Sequence, residues 1–210
     1  MNRPKARYHH PVIARLRGDV IESGGGRLTM DVGGVGYEVI VPESVLVQVP
    51  PAGVSITLLI RQTFREDGTY LYGFLEPFQR RLFDLLTDVK GCGPKIALAL
   101  IGELGEETVA NAIATQDAKL LARATGVGPR LGERIILELR DRIQEEQFTR
   151  KITTAVVGSV PTSSGGDELI EALVALGYRR SDAEAAAAPA REEASGIQDQ
   201  IRAALRLLKK

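Results

Sequence analysis

The sequence predicts a multidomain α+β protein: a small β-barrel, a helical domain with two copies of one loop, a flexible linker and a small C-terminal helical domain. Three observations carry this prediction. Apolar and polar residues alternate with a period of two over residues 12–76, which is the pattern of half-buried strands. Over residues 77–148 the apolar spacing becomes helical. Residues 149–166 lack any period and combine Thr, Ser, Gly and Pro, before a helical pattern returns over residues 167–210.

Five alternating runs predict the strands of the barrel. They lie at residues 12–16, 28–32, 37–41, 56–64 and 69–74. The pair Gly33-Gly34 between two of these runs is a strong hairpin signal, because glycine adopts the positive φ angles of a tight turn. Five short strands in about 60 residues, with one short segment near residues 43–47, are typical of a closed barrel of the oligonucleotide-binding (OB) type.

An irregular basic extension, residues 1–11, precedes the first strand and holds both histidines, His9 and His10. A His-His pair can contribute to a metal site, but the chain has no further histidine to complete one. We therefore expect no metal there.

The helical domain over residues 77–148 contains two loops of the same form. One has the sequence Gly-Cys-Gly-Pro-Lys at residues 91–95, and the other has Gly-Val-Gly-Pro-Arg at residues 126–130. The glycines permit a tight turn, the proline fits the first helical position, and the helix start attracts an anion. One copy is more often an ordinary helix start. Two copies with the same proline and a basic residue are typical of tandem helix-hairpin-helix motifs, which bind DNA without sequence preference.

Six residues of these loops are therefore predicted to hold DNA phosphates through backbone N–H groups and basic side chains. They are Gly91, Gly93, Lys95, Gly126, Gly128 and Arg130. We expect five helices in this domain, the last from Pro129 to about residue 146.

The C-terminal residues 167–210 predict three short helices after the linker at 149–166. Asp167 and Ser181 are candidate N-caps of the first two helices, and Gly177 is expected to end the first. A three-helix (UBA-like) domain of this size has a thin core. Such modules often bind other proteins, but the pattern alone fits a folded tail equally well.

The composition excludes several classes of function. Basic and acidic residues are equal in number, 27 of each, so a nucleic-acid-binding protein of this composition must sort its charges onto separate faces. The single cysteine, Cys92, excludes an internal disulfide and suits a reducing cytoplasm. No apolar run approaches the length of a membrane span, and no signal peptide is visible.

No catalytic machinery is visible either. The chain has no Gly-x-x-x-x-Gly-Lys-(Ser/Thr) sequence, so no P-loop holds ATP. The only histidines lie in the extension, so no nucleophile–base pair is expected. The sequence favours a binding scaffold over an enzyme, with no catalytic residues and no cofactor.

The order of the motifs resembles the RuvA family, the DNA-binding subunits of bacterial Holliday-junction branch-migration complexes. The resemblance covers about residues 12–210. It rests on the two loops and on short segments in the barrel and the C-terminal domain. The barrel segments are Ile-Ala-Arg-Leu-Arg-Gly at 13–18, Asp-Val-Gly-Gly-Val-Gly-Tyr-Glu-Val at 31–39, Arg-Glu-Asp at 65–67 and Leu-Tyr-Gly-Phe at 71–74. The C-terminal segment is Ala-Leu-Gly-Tyr at 175–178. The extension is not part of the pattern. Cys92 stands where the family usually has a small aliphatic residue, a role that cysteine can fill.

The resemblance implies a homotetramer that holds a four-way junction in an open form, without reading its sequence, in homologous recombination and DNA repair. Glu66 and Asp67 would form an acidic pin that repels phosphates at the crossover, although alone they fit an ordinary polar turn. Leu176, Gly177 and Tyr178 would contact a RuvB-type hexameric ATPase, and a RuvC-type junction-resolving nuclease would act with the complex. The implied location is the bacterial cytoplasm, at the nucleoid when bound to DNA, and not a membrane.

Two other functions compete with a junction scaffold. One is a generic helix-hairpin-helix accessory subunit of a repair nuclease, which would not need the acidic turn. The other is an OB-fold module for single strands or protein. A reader of single strands needs several exposed aromatic residues as stacking platforms. The alternation of the five aromatic residues in the barrel suits its core better; they are Tyr37, Phe64, Tyr70, Tyr72 and Phe74.

Overall fold

The computed structural model describes residues 12–158, 168–175, 177–194 and 196–208. The chain divides into two compact units, the first ending at Asp141 and the second beginning at Arg142. The extension at residues 1–11, residues 159–166 of the predicted linker and the candidate cap Asp167 lie outside the described residues.

The first unit begins with a closed five-stranded barrel. Its elements are β1 (Arg15–Gly24), β2 (Arg27–Asp31), β3 (Gly36–Ile40), a short helix α1 (Glu43–Leu46), β4 (Ser55–Arg65) and β5 (Gly68–Phe74). The strand order is β1-β2-β3-β5-β4, with every pair antiparallel except β3–β5. The barrel interior is filled by side chains from all five strands, among them Leu28, Met30, Val39, Leu58 and Ile60. The predicted OB-type barrel is therefore confirmed.

The first strand is longer than the predicted run at residues 12–16. It pairs with β4 through Asp19 and with β2 from Asp19 to Gly24, with a bulge between Val20 and Glu22. A strand that passes from one neighbour to the next around a barrel must be long, and its register shifts where it bends. Gly18 is required at this crossing, because a Cβ there would lie 2.0 Å from the carbonyl oxygen of Asp31.

The helical part of the first unit follows. Its elements are α2 (Pro77–Asp88), α3 (Pro94–Ala99) with a π-helical turn over Leu100–Leu104, α4 (Glu106–Ala114), α5 (Ala118–Leu121) and α6 (Pro129–Gly158). The predicted helices are present, but the predicted end of the last one is wrong. Helix α6 continues ten residues into the segment that we expected to be linker, because residues 149–157 contain neither glycine nor proline to end it.

Helix α2 joins the barrel to the helical part. The ring of Phe83 lies 4.9 Å from the ring of Tyr72 and 5.2 Å from that of Phe74, measured between centroids. Beside this aromatic cluster, Arg61 of β4 donates from Nε to Oδ1 of Asp84 at 2.6 Å and forms a second bond from Nη2 to Oδ2. The two side chains are three-quarters buried, so this bidentate pair is screened less than a surface pair.

A second contact lies between α1 and the π-helical turn. The hydroxyl of Ser44 donates to the carbonyl oxygen of Ile101 at 3.3 Å. A Cβ at Gly102 would lie 2.8 Å from the backbone nitrogen of Glu43, so only glycine permits this close approach. These contacts hold the barrel and the helical part together, as does a bond from Nη1 of Arg80 to the carbonyl oxygen of Ala14 at 3.2 Å.

The second unit contains three short helices near its C-terminal end: α7 (Glu168–Ala175), α8 (Arg180–Glu193) and α9 (Ile197–Leu208). Four alanines of α8 pack with Leu169, Leu173 and Ile201 in a small core; the alanines are Ala183, Ala186, Ala187 and Ala190. Gly177 ends α7 with a φ angle of +94°, as predicted. Ser181 is not the cap of α8, since Arg179 occupies that position without a side-chain bond and the helix begins at Arg180.

We predict that Phe83→Ala lowers the free energy of unfolding of the first unit by about 3–5 kcal/mol. Phe83 is 1% exposed, and truncation leaves a cavity between α2 and the barrel. The matched control is Phe64→Ala, at a phenylalanine that is 65% exposed, which we expect to change stability by no more than about 0.5 kcal/mol. Guanidinium unfolding of both variants measures the difference. Equal losses would contradict the role assigned to the aromatic cluster.

Candidate nucleic-acid interface

The two loops of the helical part have the same backbone conformation. Gly91 has a φ angle of +92° and Gly126 one of +84°, in the region that favours glycine. The hydrogen bonds repeat with an offset of 35 residues: Cys92 N–H donates to Val89 O at 3.0 Å, and Val127 N–H donates to Ala124 O at 3.1 Å. The repeat in sequence is therefore a repeat in structure.

The same repeat extends into the helices that the loops open. Ile96 and Ala97 both donate to the carbonyl oxygen of Gly93 at 3.0 Å. In the second copy, Leu131 and Gly132 both donate to Gly128 at the same distance. Each loop therefore ends at a glycine that accepts the first helical bonds, followed by proline and then a basic residue.

The two loops also pack on each other's helices reciprocally. An added Cβ at Gly91 would lie 3.8 Å from Leu131 of α6, and one at Gly126 would lie 3.3 Å from Ile96 of α3. Ile96 and Leu131 are equivalent positions of the repeat. Each loop thus packs against the helix that follows the other loop, which places the two loops side by side.

The predicted phosphate-binding groups are accessible. Gly91, Gly93, Lys95, Gly126, Gly128 and Arg130 are all exposed. Within the part of the chain that the structure describes, the N–H groups of the four glycines have no hydrogen-bond partner. The structure therefore brings together two sets of free amides, each followed by one cation, on two adjacent loops. This arrangement can bind phosphate oxygens.

The residue between the glycines anchors each loop. Cys92 and Val127 are both buried, so each loop turns its middle side chain into the core. Burial raises the pKa of the Cys92 thiol from its ordinary value of 9.0 to about 12. The cysteine is therefore a small apolar anchor here, like the valine at the equivalent position.

The two loops differ in the contacts of the residue before their first glycine. The N–H of Thr125, just before Gly126, donates to the carboxylate oxygen Oε2 of Glu103 at 2.9 Å. The equivalent residue of the first loop is Lys90, whose carbonyl oxygen accepts a bond from Nη1 of Arg134 at 3.0 Å. Sequence reasoning missed both contacts, because each joins residues more than 20 positions apart.

Glu66 and Asp67 form the tip of a two-stranded ribbon that extends beyond the barrel. Strand β4 pairs with β1 only over Ser55–Leu59, whereas its pairing with β5 runs to Arg65 opposite Gly68. Both carboxylates are exposed. The structure thus places the predicted pin residues at the end of a projecting element of the first unit, where carboxylates repel other anions.

Aromatic side chains near the tip are partly exposed, contrary to the expectation that the aromatic residues of the barrel face its core. Tyr72 and Phe74 are buried, but Phe64 is largely exposed because the inward face of β4 runs past the end of the barrel. Tyr70 donates from its hydroxyl to Asp67 at 2.8 Å, which raises the pKa of the phenol. The guanidinium carbon of Arg65 lies 5.3 Å from the centre of the Tyr70 ring.

Of the predicted partner-binding residues, Leu176 lies outside the described residues. Gly177 N–H donates to Val174 O at 2.9 Å, and Tyr178 N–H donates to Leu173 O at 3.2 Å, so the turn after α7 is well bonded. Tyr178 packs partly against the core of its own unit. Its role towards a partner stays a prediction.

The described residues hold no group of histidine, cysteine, aspartate and glutamate side chains that could bind a metal ion. In the same part of the chain, every helix is too short or too polar to cross a membrane.

Comparison with known families matches three parts of the chain. Residues 13–73 match the RuvA N-terminal domain, residues 83–141 match a SAM-like tandem helix-hairpin-helix family, and residues 165–209 match the RuvA C-terminal domain. The matches follow the barrel, the two loops with their helices, and the C-terminal helices, in that order.

Proteins from several bacteria are similar over nearly the whole chain. One from Stutzerimonas stutzeri (strain A1501) is 36% identical over 198 residues, which cover 93% of this chain and 98% of that protein. One from Prosthecochloris aestuarii is 39% identical, covering 92% and 97%. One from Leptothrix cholodnii is 36% identical, covering 95% and 100%. Each carries the name Holliday junction branch migration complex subunit RuvA.

We predict that Cys92 in the native protein resists modification by a thiol-specific disulfide reagent at pH 8. With a pKa near 12, almost none of the buried thiol is ionised at that pH, and the thiolate is the reactive form. Release of the coloured thiolate from the reagent should become fast only when the protein is unfolded in guanidinium. Cys92→Val should give no colour and keep the native fold. Rapid reaction of the native protein would show that the first loop does not hold its middle residue in the core.

Proposed function

Because this chain belongs to the RuvA family, we propose that it binds four-way (Holliday) junction DNA as the DNA-binding subunit of a branch-migration complex. Its relatives are named for that complex. The observation that carries the proposal is the repeated loop. Each copy offers free backbone amides followed by one cation. Both copies lie in the compact first unit, whose barrel also carries the acidic tip.

The loops would hold DNA by its backbone. Amides and cations recognise phosphate oxygens, which are the same at every nucleotide, so these contacts carry no sequence information. Gly91, Gly93 and Lys95 would contact one phosphate group, and Gly126, Gly128 and Arg130 would contact another. A protein that moves a junction through any sequence needs this kind of contact.

The proposed assembly is a homotetramer. Two adjacent loops in one subunit can hold the two strands of one duplex arm. A four-way junction has four arms, so four subunits with cyclic symmetry would give each arm the same contacts.

Glu66 and Asp67 would act as a pin at the centre of this tetramer. Four copies of the ribbon tip would bring eight carboxylates to the crossover, where phosphates of the exchanging strands converge. Repulsion at close range would keep the strands apart and direct them to new partners. The tip would set selectivity by rejecting a continuous duplex, while the loops hold the DNA farther out.

The work of migration would come from a partner, since we assign this subunit no catalytic site. The C-terminal helices, with Leu176, Gly177 and Tyr178, would dock on a RuvB-type hexameric ATPase. A RuvC-type nuclease would resolve the junction held in the complex. The process belongs to homologous recombination and repair, in the bacterial cytoplasm.

The loops can be tested by replacing their cations. Lys95→Ala with Arg130→Ala should weaken binding to junctions of every sequence alike, and each lost phosphate contact should lower the slope of log affinity against log salt by about 0.9. Band shifts at several salt concentrations measure both quantities. The control is Arg202→Ala with Arg206→Ala, which removes the same charge from α9 of the second unit. Wild-type affinity and slope in the loop variant would mean that the loops serve only the fold.

The pin can be tested by reversing its charge. Glu66→Lys with Asp67→Lys should keep or raise junction affinity and should allow ordinary duplex to bind, because attraction replaces repulsion at the crossover. Competition between four-way and linear DNA at two salt concentrations measures the selectivity. Glu66→Gln with Asp67→Asn is the matched neutral variant and should give an intermediate preference. An unchanged preference for the junction in both variants would make the tip an ordinary turn.

A further inference from the structure

We propose that Glu103 weakens the grip of the second loop on DNA, so that the two loops of each subunit hold phosphate unequally. This inference rests on the proposed function, since it concerns the phosphate contacts assigned there. It assigns a role to a residue that lies outside both loops and was not among the predicted site residues.

The two loops differ in the backbone N–H of the residue before their first glycine. Thr125 and Lys90 are equivalent positions of the repeat, each one residue before the first glycine. The N–H of Thr125 is occupied by the carboxylate of Glu103 at 2.9 Å. The N–H of Lys90 has no partner among the described residues. The second loop therefore already binds one anion, which is supplied by the protein itself.

The carboxylate is held there by the fold. Glu103 lies in the π-helical turn Leu100–Leu104, whose Gly102 is pressed against the backbone of Glu43. The turn ends at Gly105, whose φ angle of +80° suits glycine. A π-helical turn displaces the following side chains from their usual helical positions and is frequent at functional sites. Glu103 thus lies within the widened turn, and its carboxylate reaches the second loop from there.

The charges around the two loops are unequal as a result. The first loop has the cations of Lys90 and Lys95 and the carboxylate of Asp88 beside it in the sequence, and Nη1 of Arg134 lies 3.0 Å from its Lys90 carbonyl oxygen. The second has the cations of Arg123 and Arg130, but Glu103 brings a negative charge within one residue of the Gly126 amide. A phosphate on that amide would meet a like charge at a few ångströms, where repulsion is least screened. We therefore expect the second loop to bind and release phosphate more easily than the first.

The charge of Glu103 can be removed while its hydrogen-bond acceptor is kept. Glu103→Gln should tighten binding to a four-way junction by at least about fivefold at low salt, and the gain should shrink as salt screens the charge. Glu103→Ala, which also frees the Thr125 amide, should tighten binding at least as much. The control is Glu106→Gln, at a carboxylate in the first turn of α4 that has no hydrogen bond or ion pair with the loop among the described residues, and we expect it to leave affinity unchanged. Band shifts and thermal melting of each variant measure affinity and confirm folding.

A double-mutant cycle then shows which loop Glu103 acts on. In the Glu103→Gln background, Arg130→Ala should cost more affinity than it does in the wild type, because the second loop then holds its phosphate. The cost of Lys95→Ala, in the first loop, should be the same in both backgrounds. Equal costs of Arg130→Ala in both backgrounds, or unchanged affinity of Glu103→Gln and Glu103→Ala, would overturn the inference.

Different results would contradict the proposed function and the inequality of the two loops. If neither Lys95→Ala nor Arg130→Ala weakens junction binding in any background, the loops do not hold phosphate and the proposed function fails with them. If both weaken binding but the Glu103 variants change nothing, only the inequality of the loops is wrong.

Discussion

The packing of α2 against the barrel determines where the acidic tip stands relative to the two loops. The tip is carried by β4 and β5, and the loops follow α2, so the aromatic cluster around Phe83 and the ion pair between Arg61 and Asp84 connect the two. The strand that carries Arg61 reaches the first tip residue, Glu66, only five residues later. A repelling group and a holding group can distinguish a junction from a duplex only if their separation is fixed, since either acts over a few ångströms in salt. The shared core of barrel and helices supplies that fixed separation.

The equal numbers of acidic and basic residues can be related to function through the positions of these residues in the first unit. A chain with equal numbers of acidic and basic residues does not attract DNA over long distances, and its affinity must come from short-range contacts. The first unit carries two carboxylates at the ribbon tip, and a cation follows the exposed amides of each loop, with Glu103 as an acidic exception at the second loop. Selectivity is a difference between the affinities for two kinds of DNA. Moderate phosphate binding combined with a local repulsion can therefore distinguish a junction from a duplex more sharply than a strongly basic surface can. On the proposed function, neutrality of the whole chain is what makes the tip effective.

Much of this architecture was predictable, because its signals are local. Alternation gave the five strands, and the Gly-x-Gly-Pro sequence gave both loops with their glycine conformations and helix starts. Most errors arose where a distant part of the chain decides the outcome. The length of β1 depends on its two neighbours in the barrel, and the exposure of Phe64 depends on where β1 stops pairing with β4. Helix α6 passes the expected boundary because Thr and Val at residues 149–157 weaken a helix without ending it. The bond between Glu103 and Thr125 joins two segments through a π-helical turn, for which the sequence has no recognised pattern.

The unequal loops bear on how a junction could move. Phosphate contacts carry no sequence information, so DNA has an equivalent bound position at every nucleotide. The energy barrier to moving from one position to the next depends on how many contacts must break at once. Two loops of equal strength, held side by side on one rigid unit, would have to release together. On the inference drawn above, the carboxylate of Glu103 beside the second loop weakens its hold on phosphate, so this loop can let go while the other keeps its contact. On the proposed function, the repeat gives the chain two phosphate sites, and the bond of Glu103 to Thr125, which has no counterpart in the first loop, lets the sites release in turn.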